Sequence, residues 1–138
     1  MRHMNVALIL SGGTGTRLGS DIPKQYIEAG GRPVIGYCIS VLSAHEQIDA
    51  LHIVADKSWH DLIGKVLEKS DRKGKFKGFS VPGKNRQLSI FHGLEDIRKY
   101  AGDHGYVLIH DAARPLLSSG QISDCLKAAD GHDGLMPA

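Results

Sequence analysis

The sequence predicts an α/β fold, a mostly parallel sheet flanked by helices. Three observations predict it. Short apolar runs alternate with helical patterns four times, the order expected when each parallel strand is followed by its crossover helix. The first run, Val6–Leu10, is apolar throughout rather than alternating, as in strands buried on both faces. That run feeds a glycine-rich loop, and 17 glycines in 138 residues exceed the roughly 7% of an average chain.

The elements follow in order. Val6–Leu10 is the first strand, and a loop runs from Ser11 to about Arg32. Pro33 suits the first position of a helix, where its missing N–H costs nothing. Val34, Ile35, Cys38, Ile39, Val41 and Leu42 then recur at helical spacing. Leu51–Ala55 reads as a second strand. Ser58 with Asp61 resembles a capping box opening a helix to about Ser70. Lys77–Val81 is a weaker third strand, and Pro82-Gly83 signals a turn. Arg86–Ala101 reads as a helix with Leu88, Phe91, Leu94, Ile97 and Tyr100 on its apolar face. Tyr106–His110 is a fourth strand. Ser118 or Ser119 caps a last helix that turns Ile122, Cys125, Leu126 and Ala129 inward. Leu135-Met136 starts a fifth apolar run, so residues 1–138 read as the N-terminal portion of one longer domain. Residues 1–4 read in part as an expression remnant, since Met1-Arg2-His3 precedes a second Met4.

Composition narrows the function classes. Hydrophobic residues are 41% and charged residues 23%, which excludes a disordered or low-complexity chain. A chain this long buries roughly 68% of its unfolded surface, enough for a core. The net charge of +2, from 17 Lys+Arg and 15 Asp+Glu, points to neither nucleic acid nor a membrane as partner. The longest apolar run falls far short of the roughly 20 residues of a membrane span, and no secretory leader is evident. Cys38 and Cys125 each sit in an apolar helical pattern, which favours free thiols in a reducing cytoplasm. None of the eight histidines shows a zinc spacing.

In an open α/β sheet, ligands gather beyond the carboxyl ends of the strands. After the first strand come Ser11, Gly12, Gly13, Thr14, Gly15, Thr16, Arg17, Leu18 and Gly19, then Pro23-Lys24-Gln25. After the third come Pro82-Gly83-Lys84-Asn85-Arg86, and after the fourth His110-Asp111-Ala112-Ala113-Arg114-Pro115. Glycines, cations and one carboxylate on a common rim suit a polyphosphate carried with a metal ion. Without Cβ atoms, the glycine loop can turn tightly and aim N–H groups at anionic oxygens. It is neither a dinucleotide fingerprint, because Leu18 stands where the third glycine belongs, nor a P-loop, whose spacing and Lys-Ser/Thr pair are missing. Asp111 suits Mg²⁺, which takes few carboxylates and completes its shell with phosphate and water. Arg114 can fork onto a phosphate.

The motifs L-S-G-G-T-G-T-R-L-G (from Leu10), P-K-Q-Y (from Pro23), G-R-P-V-I (from Gly31), P-G-x-x-R-x-x-S (from Pro82) and H-D-A-A-R-P (from His110) occur in this order along nearly the whole chain. The chain thereby resembles the cytidylyltransferase family of the methylerythritol phosphate isoprenoid pathway and its sibling, ribitol-5-phosphate cytidylyltransferase. The resemblance implies a Rossmann-like nucleotidyltransferase that transfers CMP from CTP to a sugar-alcohol phosphate and releases pyrophosphate. It implies that the backbone of Ser11, Gly12, Gly13, Thr14 and Gly15 holds the CTP triphosphate and ribose. Arg17 and Lys24 would stabilise charge at the α-phosphorus, and Gly83 and Ser89 would read the cytosine edge. Asp111 would bind Mg²⁺ or another divalent cation beside nucleotide and acceptor, and Arg114 would place the acceptor. It further implies a cytoplasmic homodimer. The position after Gly83 is usually acidic in the family but is Lys84 here, which keeps open a nucleotidyltransferase using another base. Ala113, where the ribitol enzymes more often have valine, favours 2-C-methyl-D-erythritol 4-phosphate as acceptor. A nucleotide-binding fragment without turnover is the non-enzymatic alternative.

The remaining residues have plainer readings. Lys65, Lys69, Arg72, Lys73, Lys75 and Lys77 form a solvated basic face diluted by Glu68 and Asp71. Trp59 and Tyr100 pack core edges, and Tyr26 is placed to line the acceptor pocket. His110 has a structural role at its strand end, and Asp56 caps the helix that follows it.

Overall fold

A computed structural model describes residues 4–12, 22–102 and 105–129. Four parallel strands form its sheet in the order β5-β4-β1-β6: β1 (Val6–Ser11), β4 (Ala50–Ala55), β5 (Phe76–Ser80) and β6 (Val107–Asp111). A two-residue antiparallel pair, β2 (Glu28–Ala29) with β3 (Arg32–Pro33), stands apart. The helices are α1 (Val34–Ala44), α2 (His60–Ser70), α3 (Arg86–Ala101) and α4 (Ser119–Ala129). The predicted α/β class and all four main strands are present, each within one residue of its expected start.

β1 is central because its sequence is apolar on both sides. Residues Val6 to Ile9 are fully buried. Val6 and Leu8 face α3 together with Ala50, Val54 and Ile97. Ala7 and Ile9 face the opposite layer, where Ile35, Ile39, Ile53, Ile63 and Ile122 bring in α1, α2 and α4. Burying each such side chain is worth about 1.5–3 kcal/mol. The order has a functional consequence. From β1 the chain winds outward through β4 to β5, then returns to the other side of β1 as β6. That reversal puts α3 on the face opposite α1 and α2, and makes the carboxyl ends of β1 and β6 the switch point at which open α/β sheets take their ligands.

The helix termini are explained by named caps. Asn85 Oδ1 accepts from Leu88 N at 2.9 Å and opens α3. Ser118 and Gln121 cap each other at the head of α4, Gln121 N donating to Ser118 Oγ at 3.1 Å and Ser118 N to Gln121 Oε1 at 2.9 Å.

Four expectations are corrected. The expected capping box at Ser58 is replaced by Asp56, whose carboxylate accepts from Ser58 N at 3.0 Å and starts a 3-10 turn, Lys57–Trp59, before α2. Pro33 is the cap preceding α1 rather than its first residue, because it pairs with Glu28 in the β2–β3 ribbon. The Ser11–Arg32 stretch is not one loop: it holds a 3-10 turn, Lys24–Tyr26, and that ribbon, whose turn residues Gly30 and Gly31 have φ of 63° and 91°. On α3 the contact face is Ser89, Gly93 and Ile97, while Phe91 is 55% exposed. A Cβ on Gly93 would lie 2.7 Å from Leu8 Cδ1, so the helix lies against the sheet on its small residues. Residues 1–3 and the Leu135-Met136 run fall outside the described residues.

Candidate active site

The rim is built by three segments that the sheet brings together. Gly12 leaves the carboxyl end of β1. A Cβ there would lie 3.1 Å from Pro82 Cβ and 3.5 Å from Ser89 Oγ, so the turn after β5 touches the start of the glycine loop. Asp111 ends β6 in register with Leu10, and Ala112 N donates to Leu10 O at 2.9 Å. The stretches around Gly12, Gly83 and Asp111 therefore share one edge, as the sequence predicts. Gly13, Thr14, Gly15 and Arg17 lie outside the described residues.

Lys24 reaches this edge through its neighbours. Gln25 Nε2 donates to Ser11 O and Oγ, both at 3.3 Å. Tyr26 Oη lies 2.5 Å from Ser11 Oγ and donates to Ser11 O at 3.2 Å. The 3-10 turn is thus fastened to the last residue of β1, and Lys24 stands exposed on it. Tyr26 is 4% exposed and stacks on Trp59 with ring centroids 4.5 Å apart. Tyr26 is thereby a buried anchor of the turn. Burial also pushes its hydroxyl pKa above the ordinary value. Ser11 is 2% exposed with its hydroxyl and carbonyl bonded to this anchor.

Gly83 is required by close approach. An added Cβ would sit 2.3 Å from Leu88 Cβ and 2.8 Å from the Leu88 carbonyl carbon. Its N–H donates to Ser89 Oγ at 2.9 Å, bringing together the two residues expected at the base site. The H-D-A-A-R-P segment closes on itself. Arg114 N donates to Asp111 O at 3.1 Å, and His110 Nε2 donates to Arg114 O at 2.9 Å, which gives His110 the structural role expected of it.

Asp111 lies between two guanidinium groups. Arg86 Nη2 is 3.5 Å from Oδ1 and Arg114 Nε is 3.7 Å from Oδ2. Both arginines are largely exposed and Asp111 is about one-third exposed, so these are loose contacts of small stabilising value that an incoming anion can rearrange. Arg86, which the sequence places on the rim within the P-G-x-x-R-x-x-S motif without a role of its own, is brought beside Asp111. Among the described residues no group of three or more His, Cys, Asp or Glu could hold a metal. A lone rim carboxylate fits magnesium only when a ligand's phosphate oxygens and water complete the shell. Chemically, the edge can bind a polyanion with Lys24, Arg86 and Arg114 and share one cation with it through Asp111.

Comparison with known proteins agrees with this geometry. Residues 5–138 match the family profile of IspD, 2-C-methyl-D-erythritol 4-phosphate cytidylyltransferase. The chain is 40% identical over 132 residues to a ribitol-5-phosphate cytidylyltransferase of Vibrio parahaemolyticus, covering 94% of this chain and 54% of that protein. It is 35% identical over 123 residues to a 2-C-methyl-D-erythritol 4-phosphate cytidylyltransferase of Chlamydia pneumoniae, covering 89% and 52%. The crystal structure of 4-diphosphocytidyl-2C-methyl-D-erythritol synthase from Anaerococcus prevotii superposes with a TM-score of 0.71 at 31% identity, over 91% of this chain and 50% of that one. The chain spans about half the length of the curated relatives it matches. With its sheet order, its rim and 134 of 138 residues matched, the chain belongs to the IspD cytidylyltransferase family.

Proposed function

We propose that the full-length protein is a cytidylyltransferase that transfers CMP from CTP to 2-C-methyl-D-erythritol 4-phosphate. The observation that carries this reading is the meeting of Gly12, the Gly83–Ser89 pair and Asp111 at one sheet edge, with Lys24 tied to it through Ser11.

Gly12 and the glycines after it receive the triphosphate with backbone N–H groups. With the Gly83 N–H spent on Ser89, the Ser89 hydroxyl proton and the Gly83 carbonyl remain to meet the cytosine edge. An acceptor phosphate oxygen attacks the α-phosphorus; the new P–O bond forms as the bond to the β-phosphate bridging oxygen breaks, and pyrophosphate leaves. Such transfer needs positioning and electrostatics rather than a covalent nucleophile. Lys24, together with Arg17, meets the charge that grows on the equatorial oxygens. Arg114, 78% exposed and held by the closed Asp111–Arg114 turn, binds the acceptor phosphate. Asp111 would hold a magnesium ion, which would supply neutralisation of the triphosphate charge. The free thiols Cys38 and Cys125 accord with a cytoplasmic enzyme, and no helix of the described residues is long and apolar enough to cross a membrane.

The Vibrio relative, at 40% identity, favours ribitol 5-phosphate as a second acceptor reading. Pyrophosphate release from CTP measured with each acceptor decides. The proposal expects rapid release with 2-C-methyl-D-erythritol 4-phosphate. Release only with ribitol 5-phosphate establishes the second reading, and release with neither refutes both.

A further inference from the structure

A polar chain, buried at His52 and Ser80 and exposed toward its ends at Tyr100 and Asp96, lies behind the base turn, on the α3 side of the sheet. Ser80, the last residue of β5, donates from Oγ to Asp96 Oδ2 at 2.6 Å. His52 on β4 is 3% exposed, and its Nε2 donates to Ser80 Oγ at 2.7 Å. With Nε2 carrying the proton, Nδ1 accepts from Tyr100 Oη at 3.0 Å. Every donor points the same way, toward the Asp96 carboxylate, and no member is left unsatisfied. Burial lowers the His52 pKa and keeps the ring neutral, while the Ser80 hydroxyl bond holds the Asp96 carboxyl below its ordinary range. Both directions favour the one proton arrangement that the distances require.

This chain continues into the site. Next after Ser80, the Val81 carbonyl accepts from His92 Nδ1 at 2.7 Å. Two residues further, Gly83 N donates to Ser89 Oγ. Ser80, Val81 and Gly83 are therefore fastened in turn to Asp96, His92 and Ser89, one helical turn apart along one flank of α3. Pro82, held between these bonds, is the residue against which Gly12 packs.

We propose that Asp96 is a positioning residue for nucleotide binding, acting through Ser80 to set the Pro82-Gly83 turn against Gly12. The inference rests on the nucleotide reading of that turn. Asp96 touches no ligand in this account. It lies at the far end of the fastening from the Gly83–Ser89 pair, and its side chain, 36% exposed, is no part of the buried core. Asp96→Ala leaves the Ser80 hydroxyl its bond from His52 but takes away the near acceptor of its proton, the next being the His92 carbonyl at 3.5 Å, and loosens the end of β5 from α3. Asp96→Asn keeps an acceptor oxygen.

The test measures binding of Mg·CTP by calorimetry, and steady-state kinetics, for the full-length protein and both variants. The expected result is about a tenfold rise in the CTP Kd and KM for Asp96→Ala, the scale of one hydrogen bond. At saturating CTP, kcat stays within about twofold, and Asp96→Asn restores affinity to within about threefold. A purely structural role lowers Tm without this split or rescue. Wild type that binds CTP while Asp96→Ala stays within about twofold of it overturns this inference alone, as does an equally impaired Asp96→Asn. Wild type that binds no CTP refutes the nucleotide reading and takes this inference with it.

Discussion

Replacing Gly83 by alanine tests the geometry of the base turn. The added methyl would lie 2.3 Å from Leu88 Cβ, about 1 Å short of ordinary contact, and under 3 Å from the Leu88 carbonyl carbon and Ser89 N. Two of these three atoms are backbone and the third is fixed to it, so no rotamer change relieves the clash. Either α3 or the turn must move. Overpacking of this kind costs about 1–3 kcal/mol, which for a domain of this size lowers Tm by about 3–10 °C. The movement also draws Gly83 N away from Ser89 Oγ, now 2.9 Å distant, so affinity for CTP should fall alongside stability. Thermal denaturation with and without Mg·CTP reads both effects. A variant melting within about 1 °C of wild type, with an unchanged CTP-induced shift, would mean that the turn does not press on Leu88 as closely as these distances state.

Three further predictions follow from other contacts. Lys24→Ala should lower kcat by about 10²–10³ with a modest change in CTP affinity; a loss confined to KM would leave Lys24 with ground-state binding alone. Tyr26→Phe removes the hydroxyl bonded to Ser11 and should cost about 1–2 kcal/mol in a chemical denaturation series, with no loss of stability counting against the anchor. His52 has its pKa lowered from 6.5 by burial, so its contribution to stability is present above pH 6.5 and is lost as pH falls from there through the lowered folded value. Wild type should therefore lose more Tm between pH 7 and pH 5 than His52→Leu does, and equal losses would show that His52 is not held neutral by the fold.

Much of this was legible in the sequence because the signals were backed by burial. Val6–Leu10 has no polar residue to place toward water, so only a central strand accommodates it. The rim was legible for a related reason: whatever follows parallel strands must share an edge, and those residues were glycines, cations and one aspartate. Other features carried little local signal. The β2–β3 ribbon has two residues per strand, and its clue was the Gly30-Gly31 pair, both left-handed. The α3 contact face misled because apolar spacing pointed to Phe91 and Leu94, whereas Leu8 projects into the space left by Gly93. Tyr26 and Asp96 depend on partners 15 and 16 residues distant, Ser11 and Ser80, which no periodicity reveals. Arg86 was legible as a rim cation, but its pairing with Asp111, 25 residues distant, emerges only when β6 brings the two together.

If separate segments form one nucleotide cradle, amide hydrogen exchange on the full-length protein with and without Mg·CTP will register them together. New protection should appear simultaneously at Gly12, across residues 83–89 and across 110–114, with none in the lysine-rich stretch 72–77. Protection confined to one of those segments, or concentrated in 72–77, would contradict a single cradle.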